Sequence, residues 1–488
     1  MLTHPRRDWR SIARKFESLV GSAGVVWTPE ELLVFECDGL TSYKQRPAIV
    51  VLPRTSEEVS AVLRYCYQQE LPVVARGSGT GLSGGALPVE GCVLVVTSRM
   101  NRIVAIDYAN RQITVQPGVI NNWVTQAVSA AGFYYAPDPS SQSICSIGGN
   151  VAENSGGVHC LKYGVTTNHV LGLKVVLPDG EIVEMGGPVA EMPGYDLCGL
   201  FVGSEGTLGI ATEITLRLLK SAEAVRVLLA DFETIEQAGA AVSAIIGAGI
   251  VPGGMEIMDN LSINAVEDVV ATNCYPRDAG AILLVEVDGP VIEVEQMAQA
   301  VEALCRTAGA RSLRSATDAH ERLLLWKGRK AAFAAMGQLS PNYYVQDGVI
   351  PRTQLQRVLA RIEQLGAEHG YRVANVFHAG DGNLHPLILY DGRIAGELEK
   401  VERLGGEILK LCVQVGGSIS GEHGIGAEKR CYMGEMFTPV DLETMQQVRA
   451  VFDPKNLANP TKIFPTPRTC GEAARAKAAA HFPQAERY

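Results

Sequence analysis

Two compact motifs in the last third of the chain combine histidine and carboxylate side chains with glycine. Residues 377–385 read FHAGDGNLH, and residues 420–426 read SGEHGIG. Two imidazoles and one carboxylate are a common ligand set for Zn²⁺, Mn²⁺ or Fe²⁺. A single histidine is more often a hydrogen-bonded structural residue. The two motifs together therefore favour a divalent-metal site.

The histidines of the first motif are His378 and His385, seven positions apart. An odd offset places two side chains on opposite faces of a straight strand. Gly380, Asp381 and Gly382 lie between them and are typical turn residues. We expect this turn to bring both imidazoles to one point.

A different chemistry is indicated near the amino terminus, where residues 76–85 read RGSGTGLSGG. Five glycines in ten residues let the backbone approach a ligand and turn its N–H groups toward an anion. The spacing Gly79-x-Gly81-x-x-Gly84 matches the dinucleotide fingerprint, but that fingerprint must open a helix. Here Pro88 and a strand starting at Cys92 follow instead, which argues against a nicotinamide-binding domain.

Two further segments share this composition. Residues 137–157 are long, rich in small residues and poor in charge, and residues 203–210 read GSEGTLGI. Small hydroxyl and amide side chains with exposed N–H groups suit a pyrophosphate and the edge of a flavin. Three such loops in one domain predict a large, extended cofactor.

The elements around these loops indicate an α+β fold. Up to about residue 220 the pattern is rich in strands. It includes hairpins at 103–119 and 170–185, and residues 55–58 match a capping box that opens a helix. Beyond residue 220, apolar strands alternate with long helices, and we expect a ferredoxin-like arrangement of antiparallel strands.

The order of the three loops resembles the FAD-binding domain of the vanillyl-alcohol oxidase type of flavoprotein. Within that class the chain is similar to the branch holding the glycolate oxidase flavin subunit, D-lactate dehydrogenase and D-2-hydroxyglutarate dehydrogenase. The resemblance spans roughly residues 30–465. It implies a two-lobed FAD-binding domain joined to the ferredoxin-like cap.

The resemblance also implies which residues hold FAD. The pyrophosphate would be wrapped by Arg76, Gly77, Ser78, Gly79, Thr80, Gly81, Leu82 and Ser83. The flavin would be lined by Pro137, Ser141, Gly148, Gly149, Asn154, Ser155 and Gly157. Glu205, Gly209 and Ile210 would lie near the adenosine and isoalloxazine parts. Some relatives attach the flavin to a histidine of the first loop, but residues 76–85 contain no His or Cys, so the FAD is expected to be non-covalent.

For the histidine motifs, the resemblance implies that His378, His385 and Glu422 bind the metal and that His423 is the general base. Adjacent side chains diverge in an extended segment, so Glu422 can face a metal while His423 faces a substrate hydroxyl. The metal would lower the pKa of that hydroxyl, His423 would take its proton, and the Cα hydrogen would leave as hydride to flavin N5.

Arg329 is the candidate clamp for the substrate carboxylate, because a guanidinium pairs with a planar carboxylate through two hydrogen bonds. On residue types alone, a basic surface cluster on a helix is almost as good an interpretation. The resemblance favours Arg329, since relatives place an arginine there.

The substrate is expected to be a small 2-hydroxy acid, with glycolate first and D-lactate next. Members that use 2-hydroxyglutarate resemble one another in a lysine shortly before the aspartate equivalent to Asp347 and a polar residue after the second histidine. Here residues 343–346 are YYVQ, and Pro386 follows His385. A second substrate carboxylate would lack these partners.

The expected domains are 1–220 for FAD binding, 221–425 for the substrate cap, 426–466 returning to the FAD domain, and 467–488 as a tail. The 488-residue length exceeds that of one ordinary domain. The net charge of −10, without a basic stripe, argues against a nucleic-acid partner.

The amino terminus, the hydropathy and the cysteine spacing indicate where the protein is located, and the resemblance indicates its partners. The amino terminus has no secretory signal, and no segment is apolar enough to span a bilayer. The eleven cysteines form no C-x-x-C pair, which fits the cytosol and gives no iron–sulfur cluster. The resemblance implies a second flavin-like subunit and an iron–sulfur subunit as electron acceptors, with contact to the inner membrane through such partners.

Three other readings stay open at this point. The first is a D-2-hydroxyglutarate or other D-2-hydroxy acid dehydrogenase on the same scaffold. The second is a metal-dependent hydrolase built on His378, His385 and Glu422. The third is a subunit that binds FAD only for structure, which would not need a base at His423.

Overall fold

A computed structural model describes residues 7–189, 193–271, 273–316 and 318–465. The expectations for the first six residues and for the tail at 467–488 lie outside these ranges. The α-helices, in chain order, are α1 (Trp9–Val20), α2 (Ser56–Gln68), α3 (Asn121–Val128), α4 (Ile147–Glu153), α5 (Cys160–Tyr163), α6 (Leu197–Phe201), α7 (Ile235–Gly247), α8 (Asn260–Val270), α9 (Val291–Thr307), α10 (Ala319–Ala335), α11 (Leu355–His369), α12 (Glu397–Gln414), α13 (Met433–Met436) and α14 (Pro439–Phe452).

The strands are interspersed with these helices between residues 25 and 390. In chain order they are β1 (Val25–Val26), β2 (Ile49–Val51), β3 (Val73–Arg76), β4 (Val93–Val96), β5 (Ile103–Asp107), β6 (Gln112–Val115), β7 (Phe133–Tyr134), β8 (Val170–Val176), β9 (Ile182–Gly186), β10 (Ile210–Arg217), β11 (Leu219–Lys220), β12 (Ala224–Phe232), β13 (Gly254–Asp259), β14 (Ala281–Gly289), β15 (Ser312–Ser315), β16 (Asn342–Val345), β17 (Gly348–Val349), β18 (Val373–His378), β19 (Asn383–Leu384) and β20 (Pro386–Tyr390).

The chain divides into two compact units. Of the described residues, unit 1 contains those within 7–155, 165–220 and 422–465, and unit 2 contains those within 156–164 and 221–421. Two short segments differ from the expected domain bounds. Residues 156–164 were expected in the FAD-binding domain and belong to unit 2, and residues 422–425 were expected in the cap and belong to unit 1.

Among the described residues, unit 1 holds two larger sheets and a short antiparallel pairing of β7 with β11. The first has the order β1-β2-β4-β3, and β2, β3 and β4 run parallel. Strand β2 is an apolar run buried at every position, as parallel strands covered on both faces are. The side chain of Thr55 accepts a hydrogen bond from the Glu58 N–H at the start of α2, as an N-cap does. The Glu58 carboxylate accepts from the Arg54 N–H and not from Thr55, so the helix begins with an N-cap and without the reciprocal bond of the predicted capping box.

The second sheet of unit 1 is antiparallel with the order β5-β6-β10-β8-β9. Both predicted hairpins are present in it, β5 with β6 and β8 with β9. Gly180 lies between β8 and β9 with φ of +90°, a conformation that favours glycine.

One segment of unit 1 differs from the sequence-based expectation. Residues 147–153, read as part of a loop, form helix α4, which ends at Asn154 in the left-handed conformation. Two adjacent glycines lower the intrinsic tendency to form a helix. The buried side chains of Ile147 and Val151 lie four residues apart on one face, and their packing outweighs that cost.

Unit 2 contains the ferredoxin-like arrangement. Strands β12, β13, β14 and β15 form an antiparallel sheet in the spatial order β15-β12-β14-β13. Helix α7 connects β12 to β13, and α9 connects β14 to β15, with α8 inserted between β13 and β14. Strand β18 extends the sheet beside β13, where Glu256 lies opposite His378. The predicted fold class is confirmed.

Among the described residues, no helix is both long enough and apolar enough to cross a membrane.

Candidate active site

In the first glycine loop, residues 77–85, carbonyl groups accept hydrogen bonds from the protein, whereas the N–H groups do not donate to the described part of it. The Ser83 carbonyl accepts from the N–H groups of Ala427 and Glu428, at 3.0 and 3.1 Å. The Gly85 carbonyl accepts from Asn459 Nδ2 at 2.9 Å. Among the described residues, the backbone N–H groups of 78–85 find no acceptor. A loop held by its carbonyls with its N–H groups unused is a cradle for an anion.

The three glycine-rich segments lie together in unit 1. A Cβ on Gly77 would strike the Ser146 hydroxyl and approach the Gly149 nitrogen at 3.4 Å, so the first loop packs closely on the second. The N–H of Gly203 donates to the Val151 carbonyl at 2.8 Å, which joins the third segment to α4.

Each of these segments contributes one buried serine hydroxyl that lacks a hydrogen-bond partner within the described part of the chain. The three are Ser83, Ser146 and Ser204. Buried polar groups in proteins are nearly always hydrogen-bonded, and an exception indicates a partner from outside the chain, such as a ligand. Three orphaned hydroxyls beside an anion cradle fit a polar ligand that touches all three segments, as an extended dinucleotide such as FAD would.

The remaining residues assigned to FAD have several local roles. The Arg76 guanidinium donates to the Cys37 carbonyl at 2.5 Å. The Asn154 side chain accepts from the Thr167 N–H, and Gly209 and Ile210 line an apolar cavity with Ala75. Pro137, Ser141 and Ser155 use their carbonyls within unit 1, Gly148 donates to the Pro117 carbonyl, and Gly157 belongs to unit 2.

Beneath the first loop lies a group of buried charges that the sequence did not predict. Burial, with Glu205 and Asp38 nearby, raises the pKa of the Glu153 carboxyl well above its usual range. Burial also lowers the pKa of Lys462 to about 8, although Asp38 and Glu205 oppose that shift. Glu153 Oε2 has no hydrogen-bond partner among the described residues.

The loop that carries the proposed base rests on these carboxylates. Glu205 accepts from the N–H groups of Ile425 and Gly426 at 2.6 and 2.7 Å. A Cβ on Gly424, whose φ is +83°, would collide with Glu153 and come within 3.0 Å of Glu205. Upstream of this anchor, His423 Nε2 lies 3.8 Å from Glu422 Oε1.

In unit 2 the turn between the two histidines folds as its sequence predicts. Gly382 has φ of +82°, and Asp381 accepts from the Asn383 N–H at 3.1 Å. His378 ends β18 and His385 follows β19, and their ring centroids are 5.1 Å apart. Both side chains are buried and offer nitrogen atoms within 4.8 Å of each other, so the pair fits a metal such as Zn²⁺.

Arg329 lies in α10 and is only 1% exposed, which rules out the alternative of a basic surface cluster. Its guanidinium is 2.5 Å from Glu256 Oε2, and Glu256 Oε1 is 2.6 Å from His378 Nδ1. The candidate carboxylate clamp and the candidate metal ligand therefore share one buried carboxylate.

Asp347 holds the first two residues of the second histidine motif. Its side chain accepts from the Ser420 hydroxyl at 2.6 Å and from the Gly421 N–H at 3.1 Å, and His385 Nε2 lies 3.6 Å away. The next residue after Gly421 is Glu422, the third predicted metal ligand.

Glu256 and Asp347 were not among the predicted site residues. Glu256 stands in Met255-Glu256-Ile257-Met258, a carboxylate within an apolar run. Burying a charge without a partner is costly, so such a residue signals a buried counter-charge. That signal could have marked Glu256 but could not have named its partners.

Comparison with known protein families agrees with these features. A family described as "FAD binding domain" matches residues 47–186, and one described as "FAD linked oxidases, C-terminal domain" matches residues 221–463. The first range contains the first two glycine-rich segments, and the second contains both histidine motifs.

Among curated proteins, the glycolate oxidase subunit GlcD of Escherichia coli strain K12 is 51% identical over 96% of this chain and 94% of its own length. GlcD of Bacillus subtilis is 41% identical over 88% of this chain and 92% of its own length. D-lactate dehydrogenase of Anaerostipes hadrus is 35% identical over 88% of this chain and 92% of its own length.

Among solved structures, p-cresol methylhydroxylase with bound substrate superposes with a TM-score of 0.80 at 17% identity, over 94% of this chain and 98% of the other. The 4-ethylphenol oxidase of Gulosibacter chungangensis gives 0.78 at 17%, over 97% and 99%. At such low identity these two structures bear on the fold alone. The chain thus belongs to the FAD-linked oxidases of the vanillyl-alcohol oxidase type, in the branch that contains glycolate oxidase subunit GlcD and D-lactate dehydrogenase.

Proposed function

We propose that this protein oxidises a small 2-hydroxy acid to the 2-oxo acid with non-covalently bound FAD, and that glycolate is its substrate, with D-lactate next. One observation carries the proposal. Two buried imidazoles lie side by side and are suited to a metal that binds a hydroxyl, and one of them, His378, shares the Glu256 carboxylate with the buried Arg329, which is suited to a substrate carboxylate. A 2-hydroxy acid presents both groups. Relatives at 51% and 35% identity are named for glycolate and D-lactate.

In this proposal the pyrophosphate of FAD is held by the N–H groups of the first glycine loop, and the orphaned hydroxyls of Ser83, Ser146 and Ser204 supply further donors. No histidine or cysteine occurs in residues 76–85, which supports a non-covalent attachment. When bound, FAD supplies the hydride acceptor, its N5 atom.

The metal ligands in this proposal are His378, His385 and Glu422. A divalent ion there, Zn²⁺, Mn²⁺ or Fe²⁺, supplies Lewis acidity toward the substrate hydroxyl. Support for Glu422 comes from the chain itself, because Asp347 holds the Gly421 N–H that precedes it.

His423 acts as the general base in this scheme and removes the hydroxyl proton. Imidazole titrates near neutrality, which suits a base that must be neutral before the reaction and protonated after it. The Glu205 hydrogen bonds to Ile425 and Gly426 support this role, because they fix the loop two residues beyond His423.

Arg329 holds the substrate carboxylate in the proposal. Its Nε atom is buried and has no hydrogen-bond partner among the described residues, although Glu256 is close to Nη2. Leaving a buried N–H donor without a hydrogen bond costs free energy, and a substrate carboxylate would accept a hydrogen bond from it.

Electrons leave, we infer, through partner subunits, a second flavin-like subunit and an iron–sulfur subunit. The Escherichia coli relative is named as a subunit of glycolate oxidase, which supports the existence of partners. The scattered spacing of the cysteines supports a cytosolic location.

Anaerobic stopped-flow reduction tests the substrate and the chemistry together. The purified flavoprotein is mixed with glycolate, D-lactate, L-lactate or D-2-hydroxyglutarate, and the bleaching of flavin absorbance is followed with and without chelator. We expect the fastest bleaching with glycolate and a loss of rate after metal removal. Fastest reduction by D-2-hydroxyglutarate would overturn the substrate assignment. A colourless protein would point to the metal hydrolase.

A further inference from the structure

Glu256 uses both of its carboxylate oxygens within unit 2. Its side chain is fully buried in β13, opposite His378 in the register of β13 and β18. Oε1 lies 2.6 Å from His378 Nδ1, and Oε2 lies 2.5 Å from the Arg329 guanidinium. All three side chains are at most 5% exposed, so solvent screens these contacts little.

The chemistry of this contact selects one form of the His378 ring. Carboxylate oxygens accept hydrogen bonds, and the 2.6 Å contact places Glu256 Oε1 where it accepts the hydrogen on His378 Nδ1. His378 Nδ1 must therefore carry the hydrogen, and Nε2 then carries the lone pair. Only a nitrogen with a lone pair can bind a metal.

We propose that Glu256 is a positioning residue that fixes the tautomer and orientation of His378, making Nε2 the metal-binding nitrogen, and that holds Arg329 in the same ion pair. The proposal rests on the metal site described under Proposed function. A metal-bound histidine commonly donates its other N–H to a carboxylate, and loss of that partner weakens metal binding.

Unit 2 provides a matched control for this contact. Glu286 on β14 also joins a histidine to a second donor: its oxygens lie 3.0 Å from His159 Nε2 and 2.7 Å from Trp326 Nε1. Glu286 lies opposite Gly254, and Glu256 lies opposite Leu284, so the two glutamates belong to neighbouring parts of one strand pair. Of these two glutamates, Glu256 is the one that contacts a clustered histidine, His378, whereas Glu286 contacts His159.

The experiment measures metal affinity rather than turnover. Full-length flavoprotein is stripped of metal and titrated with Co²⁺, whose visible absorption reports coordination, in competition with a chelator. The compared proteins are the wild type, Glu256→Gln, Glu286→Gln and His378→Ala. We expect Glu256→Gln to raise the apparent Kd for Co²⁺ about 10- to 100-fold. Glu286→Gln should stay within about twofold of the wild type, because it leaves His378 untouched.

The outcomes separate this inference from the proposed function. Equal Co²⁺ affinity of wild type and Glu256→Gln, with flavin retained in both, overturns the positioning role alone. A wild type that binds no Co²⁺, and no Zn²⁺ in the same competition, overturns the metal site and the positioning role with it.

Removal of one member of a buried ion pair can also prevent folding. If Glu256→Gln purifies without flavin, the double variant Glu256→Gln/Arg329→Gln leaves no unpaired buried charge and takes its place. Its Co²⁺ affinity is then compared with that of Arg329→Gln alone. A drop in the double variant supports the inference, and equality of the two overturns it.

Discussion

The Glu205 carboxylate accepts a hydrogen bond of 2.6 Å from the backbone N–H of Ile425. The second oxygen accepts from Gly426 at 2.7 Å, and Glu205 itself adopts a left-handed backbone with φ of +51°. A buried, ionisable side chain in a sparsely populated conformation is retained only where its surroundings require it. Here it anchors the loop that follows His423.

Replacement of Glu205 by glutamine should loosen this loop. An amide can accept from one N–H but turns its own NH₂ toward the other, so one buried donor loses its acceptor at a cost of about 1–3 kcal/mol. Displacement of His423 by about 1 Å would slow flavin reduction by up to about 100-fold. Urea unfolding and stopped-flow reduction measure the two effects.

Glu213→Gln is the matched control, because Glu213 lies on β10 in a partly exposed pair with Lys174 at 2.7 Å. Such pairs contribute about 0–1 kcal/mol. Equal reduction rates in Glu205→Gln and Glu213→Gln would contradict the anchoring role.

Substitution of His423 by alanine should leave the flavin bound and remove most of the chemistry. Loss of a general base costs about 10²- to 10⁴-fold in rate, and the FAD loops do not include this residue. The readouts are flavin absorbance of the purified variant and its rate of reduction by glycolate. His369→Ala, on α11 beside Glu407, should keep the wild-type rate. Undiminished reduction of His423→Ala would refute the assignment of the base.

Replacement of Arg329 by lysine keeps the charge but loses the planar pair of donors. We expect weaker substrate binding, with KM raised about tenfold or more, since one to two hydrogen bonds of a charged pair are lost. Steady-state kinetics with glycolate and an artificial electron acceptor measure KM.

Arg311→Lys serves as its control, because Arg311 also binds a carboxylate, Asp231, through Nε and Nη2 at 2.9 and 2.8 Å. That pair joins Asp231 on β12 to the residue that precedes the neighbouring strand β15, and its loss should affect stability but not KM. An unchanged KM in Arg329→Lys would show that the guanidinium serves only Glu256.

A methyl group added at Gly148 should weaken FAD binding. A Cβ there would lie 2.5 Å from Pro117 Cβ and 3.0 Å from its carbonyl oxygen, so α4 must move. Ser146 and Gly149 flank this position and meet the first glycine loop. The flavin content of Gly148→Ala after gel filtration should fall below that of Gly434→Ala, where a Cβ meets open space. Full flavin content in both would contradict this account.

Lys462 predicts a pH dependence of stability in the FAD-free protein. Burial lowers its pKa from 10.5 to about 8 in the folded state, so between pH 8 and 10.5 the unfolded chain binds more protons. Stability then rises with pH across this window, by up to about 3 kcal/mol from this residue, and the penalty is complete below pH 8. Lys462→Met should therefore gain most stability over the wild type at pH 7 and little at pH 10.5. A pH-independent difference between the two proteins would refute the shifted pKa.

The sequence by itself determined the features that depend on neighbouring residues. The glycine density of residues 77–85 predicts a backbone open to an anion, and the Gly380-Asp381-Gly382 turn predicts that His378 and His385 converge. These features are local because sterics and short-range hydrogen bonds set them within a few residues. The roles proposed for Glu422 and His423 came from resemblance and stay proposals.

Tertiary structure alone decided which distant groups support these motifs. Glu256 reaches His378 across 122 residues of sequence, because β13 and β18 pair in one particular register. Glu205 meets Ile425 across 220 residues, and Asp347 reaches Gly421 in the same way. A strand register or a loop contact of this kind follows from the packing of the whole unit, and no short segment of the chain encodes it.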